Sequence, residues 1–254
     1  QRPLHHGQIP ISSMKLTVVG SSSKGNCYIL HNPGECLIIE AGCAISEIFK
    51  AIDYKTSKVA ACLVSHEHGD HSKSVDKLQR YGIKCYMTKG TFDGIKAFHE
   101  RPEIVTPLEQ FQVGRFSIMP FDTIHDSNEP CGYLIQHPEI GTLLFAIDTC
   151  YLKYTFSGLT ALMIECNYCE ELLEENVANG VVHPIVKKHI VKSHMSLNNC
   201  IKTLQANNID GVNKIILLHL SKDNSDAKMF QEKVAAATGK EVVIAESGLT
   251  IDLK

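Results

Sequence analysis

The sequence predicts an α/β (α+β) chain built as a four-layer αββα sandwich, two packed β-sheets with helices on their outer faces. Three observations lead there. The first half runs strand after strand with little helix between. The second half then repeats the traffic of strands, helices and strands, so the chain traverses the same kind of unit about twice. The strands themselves are short apolar or period-two runs, which fit sheets covered on one or both faces. A doubly wound βαβ arrangement fits less well, because many short strands lack intervening helices.

Taken in order, strands are expected at KLTVVG (15–20), CYIL (27–30) and CLIIE (36–40), then a helix at ISEIFKAI (45–52) and a buried strand at VAACLVS (59–65). RFSIMPF (115–121), GYLIQH (132–137), TLLFAID (142–148) and LTALMIE (159–165) read as further strands. Helical patterns cover 170–178 and 196–207. KIILL (214–218) is a strand, 225–238 a helix, and EVVIA (241–245) and LTIDL (249–253) close the chain around the turn at Glu246, Ser247 and Gly248.

The chain has 254 residues, and no linker or low-complexity stretch divides it, so residues 14–254 are expected to form a single domain. Residues 1–13, QRPLHHGQIPISS, read as an added leader ahead of a start at Met14, and His5 and His6 are set aside with it. Apolar residues at 44% and charged residues at 21% exclude intrinsic disorder. No apolar run approaches the ~18 residues of a membrane span, and no charged-then-apolar signal pattern opens the chain, so no membrane partner and a cytoplasmic location are expected. Lysine and arginine total 25 against 28 acids, a net charge of −3. That excludes a generally basic nucleic-acid coat and leaves room for a local basic groove.

Ten cysteines need an account. Cys27, Cys36, Cys62 and Cys85 lie inside apolar runs, where a free thiol behaves as a small hydrophobe. Cys166 and Cys169 form a CxxC with no second pair to complete a zinc site. Reduced, mostly buried thiols are expected.

The chemistry is concentrated in Ser65-His66-Glu67-His68-Gly69-Asp70-His71, directly after a buried strand. Alternate residues of an extended segment point the same way, so His66 and His68 converge on one ion. Asp70 and His71 follow Gly69, expected to let the chain turn, and address a second ion. Neutral imidazole and carboxylate suit zinc and manganese, and iron as well. A solvated polar loop is a poor account of three histidines and an aspartate in six residues. Further ligands must come from other strand ends. His125 follows RFSIMPFDTI, Asp148 ends TLLFAI, and His219 ends KIILL. Alone, each is ordinary. Together the seven are enough for two divalent metal ions sharing a carboxylate.

HxHxDH followed by a histidine, an aspartate and a late histidine resembles the metallo-β-lactamase-fold hydrolases, αββα sandwiches. The resemblance covers essentially all of 14–254. It implies that His66, His68 and His125 hold one metal, that Asp70, His71 and His219 hold the other, and that Asp148 bridges. An aspartate rather than a cysteine at 148 is similar to the phosphodiesterase and thioester branches. The segments GSSSKGNCYIL (20–30), HDSNEPCGYLI (125–135), IECN (164–167), SHMSLNN (193–199) and LHLSKDN (218–224) together resemble the YycJ/WalJ-type group. That resemblance implies metal-dependent 5′→3′ exonuclease activity on DNA. Two departures stand out. Glu40 in IIEAG replaces the usual aspartate, and is expected to take its place as the acceptor that orients the metal loop. Tyr168 and Cys169 follow IECN where relatives tend to show histidine and aspartate.

Four residues are expected to meet substrate: Ser21, Asn167, His194 and Ser196. Ser196 is a good N-cap for a helix that follows, and a helix start binds phosphate through its free N–H groups. His194 is therefore assigned to the phosphate or to protonating the leaving oxygen; the plain alternative is a histidine packed at a helix start. The Gly20–Asn26 loop either cradles a phosphate or is simply a tight hairpin, and lacks P-loop spacing. Lys187, Lys188 and Lys192 form a local basic run, which either meets a polyanion or is a solvated face.

The expected reaction is phosphodiester hydrolysis by a hydroxide held between the two metals and oriented by Asp70 and Asp148, with Asp70 and His194 catalytic. DNA is the expected substrate. A small phosphodiesterase cleaving cyclic nucleotides or RNA ends is the alternative on the same site. A thioester or glyoxalase-type hydrolase and a metal-free binding scaffold are the others, and the scaffold would need missing ligands, of which there are none. A homodimer is a further expectation.

Overall fold

Alternation along the first strands decides which faces meet. In β1 (Lys15–Ser22), β2 (Gly25–His31), β3 (Cys36–Ile39) and β4 (Val59–Leu63), one set of side chains (Leu16, Val18, Tyr28, Leu30, Leu37, Ile39, Ala61, Leu63) enters a central core. The other set, including Cys27, Ile29, Cys36, Ile38 and Cys62, enters a second core with helices α1 (Ile45–Ala51) and α3 (Val75–Arg80). Both faces are covered, so these strands read as near-continuous apolar runs. The structure is a computed structural model that describes residues 13–254. The expected leader therefore lies outside the described residues, apart from Ser13, whose hydroxyl donates to Asp252.

The chain continues through α2 (Gly69–Ser72), β5 (Cys85–Met87), α4 (Lys89–Gly94), β6 (Glu103–Ile104) and β7 (Phe111–Val113). Then come β8 (Phe116–Asp122), β9 (Cys131–His137), β10 (Gly141–Ala146), β11 (Leu159–Glu165), α5 (Glu170–Ala178), α6 (Pro184–Ser193) and α7 (Leu197–Ala206). β12 (Lys214–Leu218), α8 (Ala227–Thr238), β13 (Glu241–Ile244) and β14 (Thr250–Asp252) complete it.

Two seven-stranded sheets result, in the orders β14-β1-β2-β3-β4-β5-β6 and β13-β12-β11-β10-β9-β8-β7. The second sheet also alternates. Phe116, Ile118, Tyr133, Phe145, Met163 and Ile216 face the first sheet, while Leu144, Leu162, Ile164 and Leu217 face α7 and α8. α7 buries Leu197, Cys200 and Leu204 on one stripe and starts at Ser196, whose hydroxyl accepts the Asn199 N–H at 3.2 Å. α8 starts on the Asp226 side chain and stops at Gly239, whose φ of +68° a Cβ would strain. The expected four-layer αββα sandwich is what the chain forms.

β8 is antiparallel to β9, and β9 to β10, while β10, β11 and β12 are mutually parallel. β8, β10, β11 and β12 thus share one direction, and their C-terminal ends lie along one edge of the sandwich. The sequence reading did not see α6. That helix buries only Ser193, so it carries no apolar stripe to reveal its period. Gly69 also differs from expectation. It opens α2 in helical geometry with open space where a Cβ would stand, so the loop does not need a glycine turn.

Candidate metal centre

Every expected ligand stands just past a strand end or at the start of a short helix. His66 and His68 follow β4, Asp70 and His71 lie on α2, His125 follows β8, Asp148 follows β10, and His219 follows β12. The shared strand direction carries the last three to the same edge, where they meet the β4–α2 loop.

Two three-donor groups form: His66, His68 and His125, and Asp70, His71 and His219, each with ligand atoms within 4.8 Å of one another. In the first, His68 Nδ1 lies 3.1 Å from His66 Nε2 and 3.2 Å from His125 Nε2. A tetrahedral ion with metal–nitrogen bonds of ~2.0–2.1 Å spaces its ligand nitrogens about 3.3 Å apart, so this set fits one. Asp148 lies between the groups. Its Oδ2 is 3.7 Å from both His66 Nε2 and His125 Nε2 and 3.1 Å from His71 Nε2, and its Oδ1 is 3.6 Å from His219 Nε2. Among the described residues Asp148 Oδ1 is buried without a hydrogen-bond partner, an orphaned acceptor that a cation would satisfy.

The outer nitrogens are held from behind. His125 Nδ1–H donates to the Ser193 carbonyl (2.9 Å), and His219 Nδ1–H to Asn26 Oδ1 (3.0 Å). His66 Nδ1 bonds Ser65 Oγ at 2.8 Å, and Glu40 Oε2 stands 3.2 Å from His71 Nδ1. In all four rings Nε2 is therefore left to face the centre, which is how metal-binding histidines are oriented. The tautomers are assigned from these bonds.

Burial and neighbouring charge act on the candidate ligands in opposite directions. Burial pushes His66 well below the usual imidazole range and lowers His125 as well, so both are neutral donors. Burial works against charge on Asp148, but His219 and His71 outweigh it and hold the carboxyl well below its usual range. Burial likewise opposes charge on His71, where Asp148 and Glu40 prevail and hold it well above. Glu40, Asp148 and His219 all have positive φ, at 68°, 45° and 56°. Three left-handed non-glycine residues in one cluster mark a site whose geometry outweighs local backbone cost.

Glu40 stands between Ser65 and His71. It is fully buried, its Oε1 accepts the Ser65 N–H at 3.1 Å, and its Oε2 faces His71. The expected substrate residues are placed differently from one another. His194 joins the centre, with Nδ1 3.7 Å from Asp148 Oδ1 and its ring stacked on His219 at 5.5 Å. The Ser21 and Ser196 hydroxyls and the Asn167 amide nitrogen bond the scaffold. Ser21 Oγ accepts the His219 N–H (2.9 Å), and Asn167 Nδ2–H donates to the His219 carbonyl (2.8 Å). Ser196 caps α7 and is 1% exposed. Tyr168 is buried and paired with the Ser196 backbone, and Cys169 Sγ donates to Glu171. Of the basic run on α6, Lys187 is paired with Glu174.

Two residues went unassigned in the sequence. Asn26 is fully buried and its amide touches Asp70 Oδ2 (3.3 Å), His71 Nε2 (3.1 Å) and His219. Glu165 is fully buried at the end of β11. Its Oε1 is 2.7 Å from His194 Nδ1, and its Oε2 accepts the Thr149 and Met195 N–H groups at 2.9 and 3.2 Å. A buried acid ending an apolar strand was the signal that singled out Asp148, and Glu165 in LTALMIE carries it too.

Residues 36–220 match the family described as the beta-lactamase superfamily domain. The chain belongs to that family. It is 24% identical over 257 residues to "Exodeoxyribonuclease WalJ" of Streptococcus pneumoniae serotype 2, covering 94% of this chain and 92% of that one. It is 25% identical over 227 residues to "Exodeoxyribonuclease YycJ" of Bacillus anthracis, covering 75% and 86%. Among solved structures, the metallo-β-lactamase fold protein YhfI from Bacillus subtilis superposes with a TM-score of 0.72 at 19% identity, over 94% of this chain and 99% of that one. Family and donor cluster together make this superfamily member a metal-dependent hydrolase whose His/Asp cluster binds divalent metal. Among the described residues no helix is long and apolar enough to cross a membrane.

Proposed function

We propose that the chain is a two-metal phosphodiesterase acting as an exonuclease on DNA. One observation carries the reading: two three-donor groups, one around His66, His68 and His125 and one around Asp70, His71 and His219, with Asp148 facing both. The names of the Streptococcus and Bacillus relatives support DNA as substrate. Divalent ions held there, with zinc and manganese suiting the donors, would supply water of near-neutral pKa and neutralise charge on the phosphoryl oxygens.

The chain's own groups do the rest. His194 is held by Glu165 through Nδ1, which leaves Nε2–H to donate to a phosphoryl or leaving oxygen. Burial opposes its charge, yet Glu165 and Asp148 raise its pKa to about 9, so it carries that proton at neutral pH. Its side chain is 16% exposed, within reach of a ligand, whereas Glu165 is fully enclosed. Asn26 and Asn167 hold His219 from both sides and fix its ring against Asp148. Ten free thiols, nine of them buried, fit a reducing compartment such as the cytoplasm.

The test is a metal count on purified protein with one matched assay of 5′-labelled duplex DNA and cyclic nucleotides, each with manganese and with zinc. Stepwise release of nucleotides from DNA is expected. Cleavage of cyclic nucleotides with DNA untouched would overturn the DNA reading.

A further inference from the structure

A groove of about 650 Å³ lies against the Asp70/His71/His219 side of the centre, between the β1–β2 hairpin, α2 and the chain around 220–227 and 244–247. It shares walls with the site. Ser21 lines it while accepting the His219 N–H, Leu220 follows His219, and Gly25 precedes Asn26, whose amide touches Asp70, His71 and His219.

The lining is rich in cations. Lys24, Lys73 and Lys222 are exposed and, among the described residues, none has a carboxylate within ion-pair distance. Lys73 Nζ donates to the Lys24 carbonyl at 2.9 Å, which draws the hairpin and the end of α2 together. Of the two carboxylates in the lining, Glu47 accepts the Ala44 N–H at 3.3 Å and so caps α1, and Glu246 has no ion-pair partner among the described residues. Four serines, Ser22, Ser221, Ser225 and Ser247, complete a polar wall. The three lysines outnumber the two carboxylates of the lining, on a chain whose net charge is −3. Three point charges with serine hydroxyls and no aromatic ring suit phosphates rather than bases.

We propose that this groove holds the phosphodiester backbone of the nucleic-acid strand beyond the scissile linkage, with Lys24, Lys73 and Lys222 on successive phosphates. The inference takes its ligand class from the phosphodiesterase reading. It puts the strand on the hairpin side of the centre, away from the α6 lysines.

The test separates binding from cleavage. Binding of a short fluorescent single-stranded DNA with hydrolysis-resistant phosphorothioate linkages is measured by anisotropy across a salt series. The variants are the Lys24→Ala/Lys73→Ala/Lys222→Ala triple, the Lys24→Ala/Lys222→Ala double and Glu246→Gln. The double spares the Lys73 bridge, should the triple fold poorly. A charge-matched control changes Lys50, Lys77 and Lys202, exposed residues outside the groove, to Ala. The groove triple is expected to lose about tenfold or more in affinity, and its log–log salt slope to fall by about 2, roughly 0.7 per lost single-strand contact. Glu246→Gln is expected to bind more tightly, and the control to bind like the parent. Equal slopes for the groove triple and the control, or no binding by the parent, would overturn the groove. Binding through these lysines with no DNA cleaved under any metal would keep the groove and remove the exonuclease reading.

Discussion

Glu40 and His71 face each other in complete burial, Oε2 to Nδ1 at 3.2 Å, while the other Glu40 oxygen accepts the N–H of Ser65 at the root of the metal loop. One carboxylate thus ties the loop's backbone and one of its ligands to β3. The residue stands at φ +68° just past the strand, and the glutamate's length spans both partners from there.

Glu40→Gln is expected to keep the Ser65 bond and lose the charge facing His71. Metal affinity and turnover should fall about 10–100-fold, the usual cost of disturbing a group that orients a ligand. Titration with a competing chelator measures it. Parental affinity in the variant would show that Glu40 only packs.

Gly42 is where the loop meets the sheet most closely: a Cβ there would stand 1.5 Å from the Asp70 carbonyl oxygen and 2.8 Å from the Asn26 nitrogen. Backbone on both sides has nowhere to go. Gly42→Ala is expected to displace α2, cost more than the ~1–3 kcal/mol of ordinary overpacking and weaken the second metal. Urea denaturation and a metal count check both, and a parental result in each would contradict the contact.

His194→Ala should lower kcat on DNA about 10²–10⁴-fold if the ring protonates the leaving oxygen. The loss should shrink on a p-nitrophenyl ester, whose leaving group needs no proton. Glu165→Gln should show the same pattern more weakly, because it frees the ring that Oε1 holds at 2.7 Å. Equal losses on both substrates would mean that His194 positions phosphate instead.

Metal removal should cost stability, since the donor cluster buries Asp148 with an unpartnered oxygen among imidazoles. Ion at 100 times its Kd adds about 2.7 kcal/mol, which for a chain of this size raises Tm by roughly 5–11 °C. Calorimetry with and without chelator reads it, and mass spectrometry of the native protein should count two ions.

Thiol reagents should find little in the folded chain. Nine of the ten cysteines are buried, and burial pushes Cys36 and Cys131 up to about 12, far from thiolate at pH 8. Cys150, half-buried, is expected to react first. Rapid modification of several thiols would mean the two outer cores open readily.

How much was legible follows from what each residue needs. Strand periodicity located most of both sheets, because alternating burial on two faces leaves its mark in the residue types. α6 left none, since its exposed Ile185 and Val186 and its lysines bury nothing. The candidate ligands were legible because ionisable residues directly after apolar strands are conspicuous, and His66, His68, Asp70 and His71 are consecutive enough to meet on their own. Asn26 and Glu165 were not singled out. An asparagine in a serine–glycine hairpin looks like turn chemistry, and only its burial between Asp70, His71 and His219 gives it a different task.

The sequence by itself determined the two-sheet architecture and the seven metal-binding candidates, since burial periodicity and ligand chemistry are properties of residue type and spacing. Tertiary structure alone decided which residues stand behind those candidates. Ser21 and Asn167, expected at the substrate, also bond the His219 backbone because the hairpin and the β11 end close on it, and Ser196 caps α7. Lys24, Lys73 and Lys222 are far apart in the chain, and only the packing of hairpin, α2 and the post-β12 loop gathers their charges into one groove.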